Sequence, residues 1–335
     1  FDHLPLPAGG AVAPGTVVLI TGGLGHVGLI LARHLAVERG CKVVLSSRTA
    51  LPPRAEWEQH TDDASPTGVR IRSLLELERL GGEVMAVAAD SADAGQLRSA
   101  IAAAEQRFGP VGVVVHAAGI SDPSGFGPAH LIGAASSTQH FRSKQTGFGA
   151  LREVFAGRDV RGITLSSLSA VLGGLALGPY SAANAALDAH VLAARGTDGA
   201  RWITVDWDTW GRTPSPDGPP PGEYDMTPAE AVEIFERALA AVDTVDHVVI
   251  STGPLGDRFQ QWVVDRGMTD KLDDEDAQRD PRPELSIPYT EPAAGTEAAL
   301  AEIWARVLRL ETVGADDDFF GLGGNSVLAI EVVSR

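Results

Sequence analysis

Short runs of β-branched residues alternate with longer amphipathic stretches from residue 17 to about residue 261. This alternation is typical of βαβ units, in which crossover helices join parallel strands. Seven runs are strand candidates: 17–20, 42–45, 83–87, 111–115, 162–165, 202–205 and 247–250. Helix candidates lie between them, including 27–39, 71–80, 94–107, 145–155 and 182–194. The sequence therefore predicts an α/β fold with a Rossmann-like, doubly wound parallel sheet.

The composition restricts the classes of function that the chain can have. Its 27 Lys and Arg against 44 Asp and Glu give a formal net charge of −17, so broad binding of nucleic acid or of an anionic membrane is not expected. No stretch reaches the roughly 20 apolar residues that a membrane span needs. The single cysteine, Cys41, directly precedes a strand candidate. A buried, inert thiol in a reducing cytoplasm is therefore expected. The sequence indicates no metal site.

Two long inserts and a change of composition divide the chain. Residues 51–69 and 213–226 are rich in proline, and the second insert is predicted to cover a site at the carboxyl edge of the sheet. Residues 265–284 are acidic and further prolines follow. The predicted boundaries are a leading segment 1–14, a nucleotide-binding domain 15–265, an acidic Pro-rich linker 266–295, and the start of a second domain, 296–335.

A glycine-rich loop follows the first strand candidate and opens a helix. Its spacing matches the dinucleotide-binding pattern in the required strand-loop-helix context. Glycine lets the backbone approach a pyrophosphate, and the helix N-terminus offers amide donors to it. This is how an acidic protein can bind a polyphosphate. The predicted cofactor-binding residues here are Gly22, Gly23, Leu24, Gly25 and Gly28.

The residues that follow the next strands indicate which dinucleotide is bound. Ser47 and Arg48 stand where NAD-specific enzymes tend to carry an acidic residue, and arginine there favours a 2′-phosphate and hence NADPH. A solvated strand-end arginine is the alternative. Asp90, beside Ser91, is predicted either to accept from the adenine amine or to cap the following helix. Small residues after the fourth strand leave room for the ribose and nicotinamide: Ala117, Ala118 and Gly119.

A serine and a tyrosine thirteen positions apart point to carbonyl reduction. Ser167 follows the fifth strand candidate, at the sheet edge where cofactors bind, and Tyr180 lies just before a helix candidate. Tyrosine titrates near pH ~10, so it becomes a useful acid only beside a fixed cation and a second hydroxyl. Asn184 is four residues after Tyr180 and hence on the same helix face. Simple packing of Tyr180 with an exposed hydroxyl is the alternative.

Residues 15–265 resemble the ketoreductase domain of modular polyketide synthases and hybrid nonribosomal peptide synthetases, a branch of the short-chain dehydrogenase/reductase superfamily. Most short-chain dehydrogenases carry a lysine four residues after the tyrosine. This chain has Asn184 there and offers Lys144 instead, an exchange characteristic of the synthase-type enzymes. The resemblance implies that Tyr180 donates the proton and Ser167 binds the carbonyl. Lys144 would lower the phenol pKa as a cation, with Asn184 as further polar support.

The stereochemical markers of that family are not intact in this sequence. Residues 121–123 read Ser-Asp-Pro where one subtype has Leu-Asp-Asp, and Leu172 stands where the opposite subtype has a tryptophan. The handedness of the product alcohol is therefore left unassigned.

Residues 296–335 resemble the first half of an α-helical acyl or peptidyl carrier domain. The sequence Gly-Gly-Asn-Ser at 323–326 matches its attachment sequence, which implies that Ser326 carries phosphopantetheine. By local chemistry alone Ser326 is an ordinary N-cap. Only nine residues follow Ser326, so a partial carrier domain is expected. The resemblance also implies an upstream structural subdomain, of which residues 1–14 would be the end.

The function predicted from the sequence is NADPH-dependent reduction of a carrier-bound β-ketoacyl thioester, with neighbouring synthase domains as partners. One alternative is reduction of an α-ketoacyl thioester in a depsipeptide-forming peptide synthetase, suggested by the Gly-Gly-Asn-Ser signature. The other is a catalytically silent scaffold. The presence of Ser167, Tyr180, Lys144 and the glycine-rich loop argues against a scaffold.

Overall fold

A computed structural model describes residues 3–10, 12–120, 125–126, 132–174, 176–196, 199–211, 224–260, 279–283, 287–308, 310–319, 321–322 and 332. In this part of the chain the sequence forms seven strands: β1 Val17–Thr21, β2 Lys42–Ser47, β3 Glu83–Ala88, β4 Val111–His116, β5 Arg161–Ser167, β6 Arg201–Trp207 and β7 His247–Val249. They pair in parallel in the order β3-β2-β1-β4-β5-β6-β7. The strand order reverses between β1 and β4, the crevice where α/β sheets bind ligands. The predicted doubly wound sheet is confirmed.

Helical segments connect these strands. The α-helices are α1 His26–Arg33, α2 Pro66–Arg79, α3 Ala94–Phe108, α4 Ala134–Phe141, α5 Gly147–Phe155, α6 Ser169–Leu172, α7 Gly178–Ala193, α8 Pro228–Ala240, α9 Leu255–Phe259 and α10 Thr296–Leu308. A 3₁₀-helix spans Arg54–His60, and π-helical turns span His34–Glu38 and Arg142–Thr146. Among the described helices, none is both long and apolar enough to cross a membrane.

The core consists of two apolar layers, one on each face of the sheet. Val18 and Ile20 of β1 pack in one layer with α1, α2 and α8, whereas Val17 and Leu19 pack in the other with α3, α5 and α7. Because both faces are covered, the strands are continuous apolar runs. Cys41 is buried at the start of β2, and this burial raises the pKa of its thiol to about 11. The prediction of a buried cysteine is confirmed.

Several helices differ from their predicted bounds, and three of the differences bear on the site. Helix α2 begins at Pro66 instead of residue 71, because the Ser65 hydroxyl accepts from the Gly68 N–H and Pro66 suits a first turn. Helix α7 begins at Gly178 rather than at residue 182, so Tyr180 lies within its first turn. The helix predicted over 145–155 begins at Gly147 as α5, and a π-turn joins it to the preceding helix α4, which was not predicted.

The segments predicted as linkers make specific contacts. Near the N-terminus, the Arg237 guanidinium on α8 donates to the carbonyl oxygens of Leu6 and Pro7. In the C-terminal part, residues 280 and 310 form a β-bridge, and the Arg282 guanidinium binds Asp317 at 2.8 Å. The described residues of the predicted linker are therefore tied to the segment that follows it. Most of the predicted proline-rich cover lies outside the described residues, as does the loop 121–123.

Candidate active site

A cavity of about 490 Å³ opens at the carboxyl ends of the central strands. The loop after β1 forms one wall, and the ends of β5 and β6 with the start of α7 form the other. Its lining includes Gly22, Gly25 and Gly28 from the loop and Lys144, Ser167 and Tyr180 from the predicted catalytic set. The fold therefore brings the predicted nucleotide loop and three of the four predicted catalytic residues to one cavity.

The glycine-rich loop has its shape because larger residues do not fit. Gly22 has φ +66°, and a Cβ there would lie 2.7 Å from the Ala118 Cα. A Cβ on Gly28 would lie 2.6 Å from the Gly23 Cα. The loop backbone therefore packs closely against itself and against the segment that follows β4. The N-terminus of α1 lies beside the cavity. The arrangement suits a pyrophosphate.

A second cavity of about 260 Å³ lies beside this loop. The predicted residues Leu24, Ser47, Arg48, Ser91, Ala118 and Gly119 line it. Two further arginines, Arg70 on α2 and Arg142 in the π-turn, line the same cavity. Sequence reasoning missed both, because they lie far from Arg48 along the chain. Arg48 and Arg70 offer the positive charge that a 2′-phosphate needs, whereas Arg142 pairs with Asp90 at the same cavity.

Asp90 also lies at this second cavity. Its hydrogen bonds test the prediction that it caps the following helix. Its carboxylate accepts from the Ala92 N–H at 2.9 Å and from the Arg142 guanidinium at 2.8 Å. Partial burial acts to raise the pKa of Asp90, but these hydrogen bonds outweigh it and lower the pKa below its usual value. Asp93, not Asp90, caps α3 by accepting from Gly95 and Gln96. The predicted capping role of Asp90 is therefore wrong.

Lys144 lies buried in the π-turn between α4 and α5. Its ammonium donates to the Leu165 carbonyl oxygen at 2.6 Å. Burial lowers the pKa of Lys144 from 10.5 to about 8, and the negative charge of Asp188 acts in the opposite direction. The lysine is thus a fixed, partly desolvated cation at the cavity wall.

Two of the other predicted catalytic residues, Ser167 and Tyr180, line the same cavity as Lys144. Ser167 ends β5, and its Oγ accepts from the Ser169 N–H at 3.2 Å. Tyr180 contacts the rings of Phe126 and His140, with centroids 5.6 and 5.9 Å away. Asn184 is fully buried below the cavity, and its Nδ2 donates to the Tyr180 carbonyl oxygen at 3.0 Å. Asn184 therefore supports the turn that carries Tyr180.

His116 connects the nucleotide loop to the lysine, a role that sequence reasoning did not assign. Its Nδ1 lies 2.7 Å from the Thr21 hydroxyl, and its Nε2 lies 3.1 Å from the Lys144 carbonyl oxygen. Complete burial lowers the pKa of His116 to about 3, so the imidazole is neutral. Because a carbonyl only accepts, Nε2 carries the proton and Thr21 donates to Nδ1. His116 thereby holds the π-turn.

A buried ion pair forms part of the cavity wall away from the glycine loop. The Arg258 guanidinium on α9 binds both carboxylate oxygens of Asp208, at 2.6 and 3.0 Å. The Thr252 hydroxyl donates to the same carboxylate, and the guanidinium lies 4.2 Å from the centre of the Tyr224 ring. Fifty residues separate the two charges in sequence, and no motif links them.

One group of residues has the composition of a metal site. Single ligand atoms of Asp188, Asp206 and His247 lie within 4.8 Å of one another. Sequence reasoning, which indicated no metal site, did not identify this cluster. Both Asp188 oxygens already accept hydrogen bonds from hydroxyl groups, those of Ser166 and Thr204.

Comparison with known families identifies this arrangement. The family model described as KR domain matches residues 16–212, more than half of the chain. The chain belongs to the KR domain family. A second family model, described as phosphopantetheine attachment site, matches residues 298–335. The resemblance drawn from the sequence is confirmed for both parts.

Similar proteins agree with the KR assignment. A phenolphthiocerol/phthiocerol polyketide synthase of Mycobacterium tuberculosis (strain CDC 1551 / Oshkosh) is 34% identical over 234 residues, 67% of this chain and 12% of that protein. The 6-methylsalicylic acid synthase of Aspergillus terreus (strain NIH 2624 / FGSC A1156) is 35% identical over 204 residues, 59% of this chain and 11% of that protein. The chain thus spans about an eighth of the length of these relatives.

A solved structure supports the same assignment. An A-type ketoreductase from a modular polyketide synthase superposes with a TM-score of 0.58 at 28% identity, covering 74% of this chain and 50% of the other. As a KR domain the chain is a ketoreductase of the short-chain dehydrogenase type, an oxidoreductase that acts on ketones, and its cofactor is NADPH.

The described residues fit this cofactor. A Cβ on Gly22 or Gly28 would overlap neighbouring backbone atoms, so the tight loop that suits a pyrophosphate requires glycine at both positions. Arg48 and Arg70 at the second cavity suit the 2′-phosphate. The individual contacts predicted for Ser47, Arg48, Asp90 and Ser91 stay predictions, as do the contacts of residues 117–119.

Proposed function

We propose that this KR domain reduces a carrier-bound β-ketoacyl thioester to the β-hydroxyacyl thioester within a multidomain synthase. One observation supports the proposal above the others. Lys144, Ser167 and Tyr180 line the same cavity as the glycine loop. A hydroxyl, a phenol and a cation therefore stand where a ketone would meet the cofactor.

The proposed roles follow from these positions. NADPH would be held by the glycine loop and the arginines of the second cavity, and it supplies the hydride. The Ser167 hydroxyl donates to the ketone oxygen as negative charge develops there. Tyr180 transfers its phenolic proton to the same oxygen. Lys144, held by Leu165, stabilises the phenolate that remains.

Two residues position this machinery without contacting the ketone. Asn184 holds the Tyr180 turn through its hydrogen bond to the Tyr180 carbonyl oxygen. His116 fixes the Lys144 backbone relative to Thr21, the last residue before the glycine loop. The neutral imidazole adds no competing charge beside the lysine.

The remaining lining suits an acyl chain. Leu172, Leu177, Trp207 and Trp210 give the cavity an apolar wall, with the two tryptophan rings 4.9 Å apart. An apolar wall binds hydrocarbon by removing it from water. No described residue favours an α-ketoacyl group over a β-ketoacyl group, and none favours a silent scaffold.

The partner in this proposal is a carrier domain that delivers the thioester. Phosphopantetheine on Ser326, or on another carrier of the synthase, would tether the substrate and give it a high effective concentration. Ser326 lies outside the described residues but within the matched attachment-site model. We place the KR domain at 15–265, the linker at 266–295 and the carrier segment at 296–335. A structural subdomain would precede them, and the reaction would take place in the cytoplasm.

The test measures NADPH oxidation by the chain with matched β-ketoacyl and α-ketoacyl pantetheine thioesters. We expect turnover of the β-ketoacyl compound, its loss in Tyr180→Phe, and its retention in Tyr289→Phe, a control at an exposed tyrosine. Turnover of the α-ketoacyl compound alone would replace the proposed substrate class. NADPH binding without turnover of either compound would contradict the proposal in favour of a scaffold.

A further inference from the structure

A buried cluster of two carboxylates and an imidazole lies beside the catalytic lysine. Asp188 is on α7, Asp206 on β6 and His247 on β7, and the first two are 6% and 0% exposed. Their ligand atoms lie within 4.8 Å of one another. Two carboxylates this close in a poorly hydrated interior resist carrying two full charges, so one of them is favoured in its protonated form.

The hydrogen bonds of the two carboxylates differ. Asp188 accepts from two neutral hydroxyls, those of Ser166 at 2.9 Å and Thr204 at 2.5 Å. Asp206 Oδ2 lies 2.9 Å from His247 Nε2, whereas Asp206 Oδ1 is buried without a hydrogen-bond partner among the described residues. Buried polar atoms are normally hydrogen-bonded, so this oxygen favours a proton donor beside it. A proton shared with Asp188 would meet that need.

The cluster also reaches the active site. Tyr180, Asn184 and Asp188 occupy successive turns of α7, at spacings of four residues. Ser166, which donates to Asp188, lines the cavity next to Ser167. In the described part of the chain, Asp188 is the carboxylate whose charge acts on Lys144. The charge on this cluster therefore bears directly on the charge of the lysine.

We propose that Asp188 is a positioning residue that supplies the counter-charge of Lys144, and that its two neighbours set this charge. Asp206 favours one proton shared between the two carboxylates, whereas the His247 imidazolium favours loss of that proton. The charged and titratable groups that face Asp188 are Lys144 from the π-turn, Asp206 from β6 and His247 from β7. When the proton leaves, Asp188 becomes anionic and favours the lysine ammonium. When the proton stays on the carboxylate pair, Asp188 is neutral and no longer favours the buried Lys144 ammonium. The proposal rests on the proposed function only for the catalytic consequence of the lysine's charge.

The charge states agree with this geometry. Burial, with the charge of Asp206 as a second cause, raises the pKa of Asp188 to about 7. The Asp206 carboxylate raises the pKa of His247, which burial lowers to a smaller extent. His247 is partly exposed, with 29% of its side chain accessible. The imidazole thus gives the buried pair a contact with solvent through which a proton can be exchanged.

The lysine content of the chain makes this testable without substrate. The sequence has three lysines, Lys42, Lys144 and Lys271. Isotope-labelled lysine therefore gives an NMR spectrum with few side-chain signals. Single Lys→Arg variants at 42 and 271 assign the remaining signal to Lys144. We expect the Lys144 side-chain signal to show two inflections with pH, one for its own titration and a lower one for Asp188. Asp188→Asn should remove the lower inflection and move the Lys144 titration down by about one pH unit, because a nearby opposite charge is lost.

Two further variants should move the lower inflection in opposite directions. Asp206→Asn should move the lower inflection to lower pH, because Asp188 loses a neighbour with like charge. His247→Gln should raise it, because a cation that favours the carboxylates is lost. Asp246→Asn, which breaks the pair between the half-buried Asp246 and the exposed Arg195, should change neither inflection. General destabilisation would not shift the same signal both ways, so these variants decide the question even if Asp188→Asn fails to fold.

Three results would overturn the proposal. The first is a Lys144 titration that is the same in wild type and Asp188→Asn. The second is a lower inflection that neither Asp206→Asn nor His247→Gln moves. The third is a shift of the Lys144 signal on adding Zn²⁺ that disappears in Asp206→Asn, which would replace the proton by a metal. The NMR titration needs no turnover, so a failure of the proposed reductase activity would be seen separately.

Discussion

The Lys144 ammonium donates to the Leu165 carbonyl oxygen at 2.6 Å. Leu165 lies two residues before Ser167 on β5, so one strand positions both the cation and the hydroxyl of the proposed site. The ammonium is buried at the same time, which lowers its pKa to about 8. The contact therefore fixes the position of the ammonium, and its burial sets the pH range in which its charge is lost.

The rate of reduction is expected to fall as the pH rises through about 8. Above that pH Lys144 becomes neutral and no longer stabilises the Tyr180 phenolate. The pH dependence of kcat for the wild-type chain checks this. Lys144→Arg should lower the rate but abolish the alkaline decline, because arginine stays protonated. The same decline in Lys144→Arg would contradict the assignment.

Asp188 should make the folded chain less stable as the pH rises from about 4 to about 7. Its folded pKa of about 7 exceeds its ordinary value of 3.8. The folded state therefore holds more protons than the unfolded state in this window, and stability present at acidic pH is lost as pH rises. The raised pKa of His247 acts in the same sense at somewhat higher pH. Urea unfolding at several pH values measures this. The free energy of unfolding should change less with pH in Asp188→Asn than in wild type or in Asp246→Asn.

Arg48→Ala should weaken NADPH binding about tenfold, the loss of one charge-assisted contact, and leave NADH binding nearly unchanged. The reason is that only NADPH carries the 2′-phosphate that Arg48 would meet at the second cavity. Fluorescence titration of both cofactors measures this. Arg54→Ala is the matched control, since Arg54 pairs with Glu78 on the surface. An equal loss for both cofactors would remove Arg48 from the 2′-phosphate site.

Arg258→Ala should destabilise the chain by about 3–5 kcal/mol, because it leaves the Asp208 charge buried without its partner. Asp208→Ala should act similarly. The double variant should cost clearly less than the sum of the two single variants, since neither charge then remains. Urea unfolding of the three variants measures the coupling, and additive effects would show that the pair contributes little.

Sequence reasoning located the strands because they are buried on both faces and rich in β-branched residues. The glycine loop was found because its close approaches admit no side chain, as at Gly28. Helix α4 was missed because it has only eight residues, of which Phe141 is the one large apolar side chain. The pairs Asp208–Arg258 and Asp188–Asp206 were missed for another reason. The members of each pair are far apart in sequence, and only the tertiary structure brings them together.

The central claim is that hydride reaches a ketoacyl thioester at the cavity lined by Tyr180 and Ser167. The most direct measurement follows deuterium from NADPH labelled at the transferred position into a β-ketoacyl pantetheine thioester, by mass spectrometry of the product. We expect one deuterium on the new hydroxyl-bearing carbon of the product. Tyr180→Phe should form this product about 10²- to 10⁴-fold more slowly. NADPH binding with no deuterium in the thioester would contradict the account.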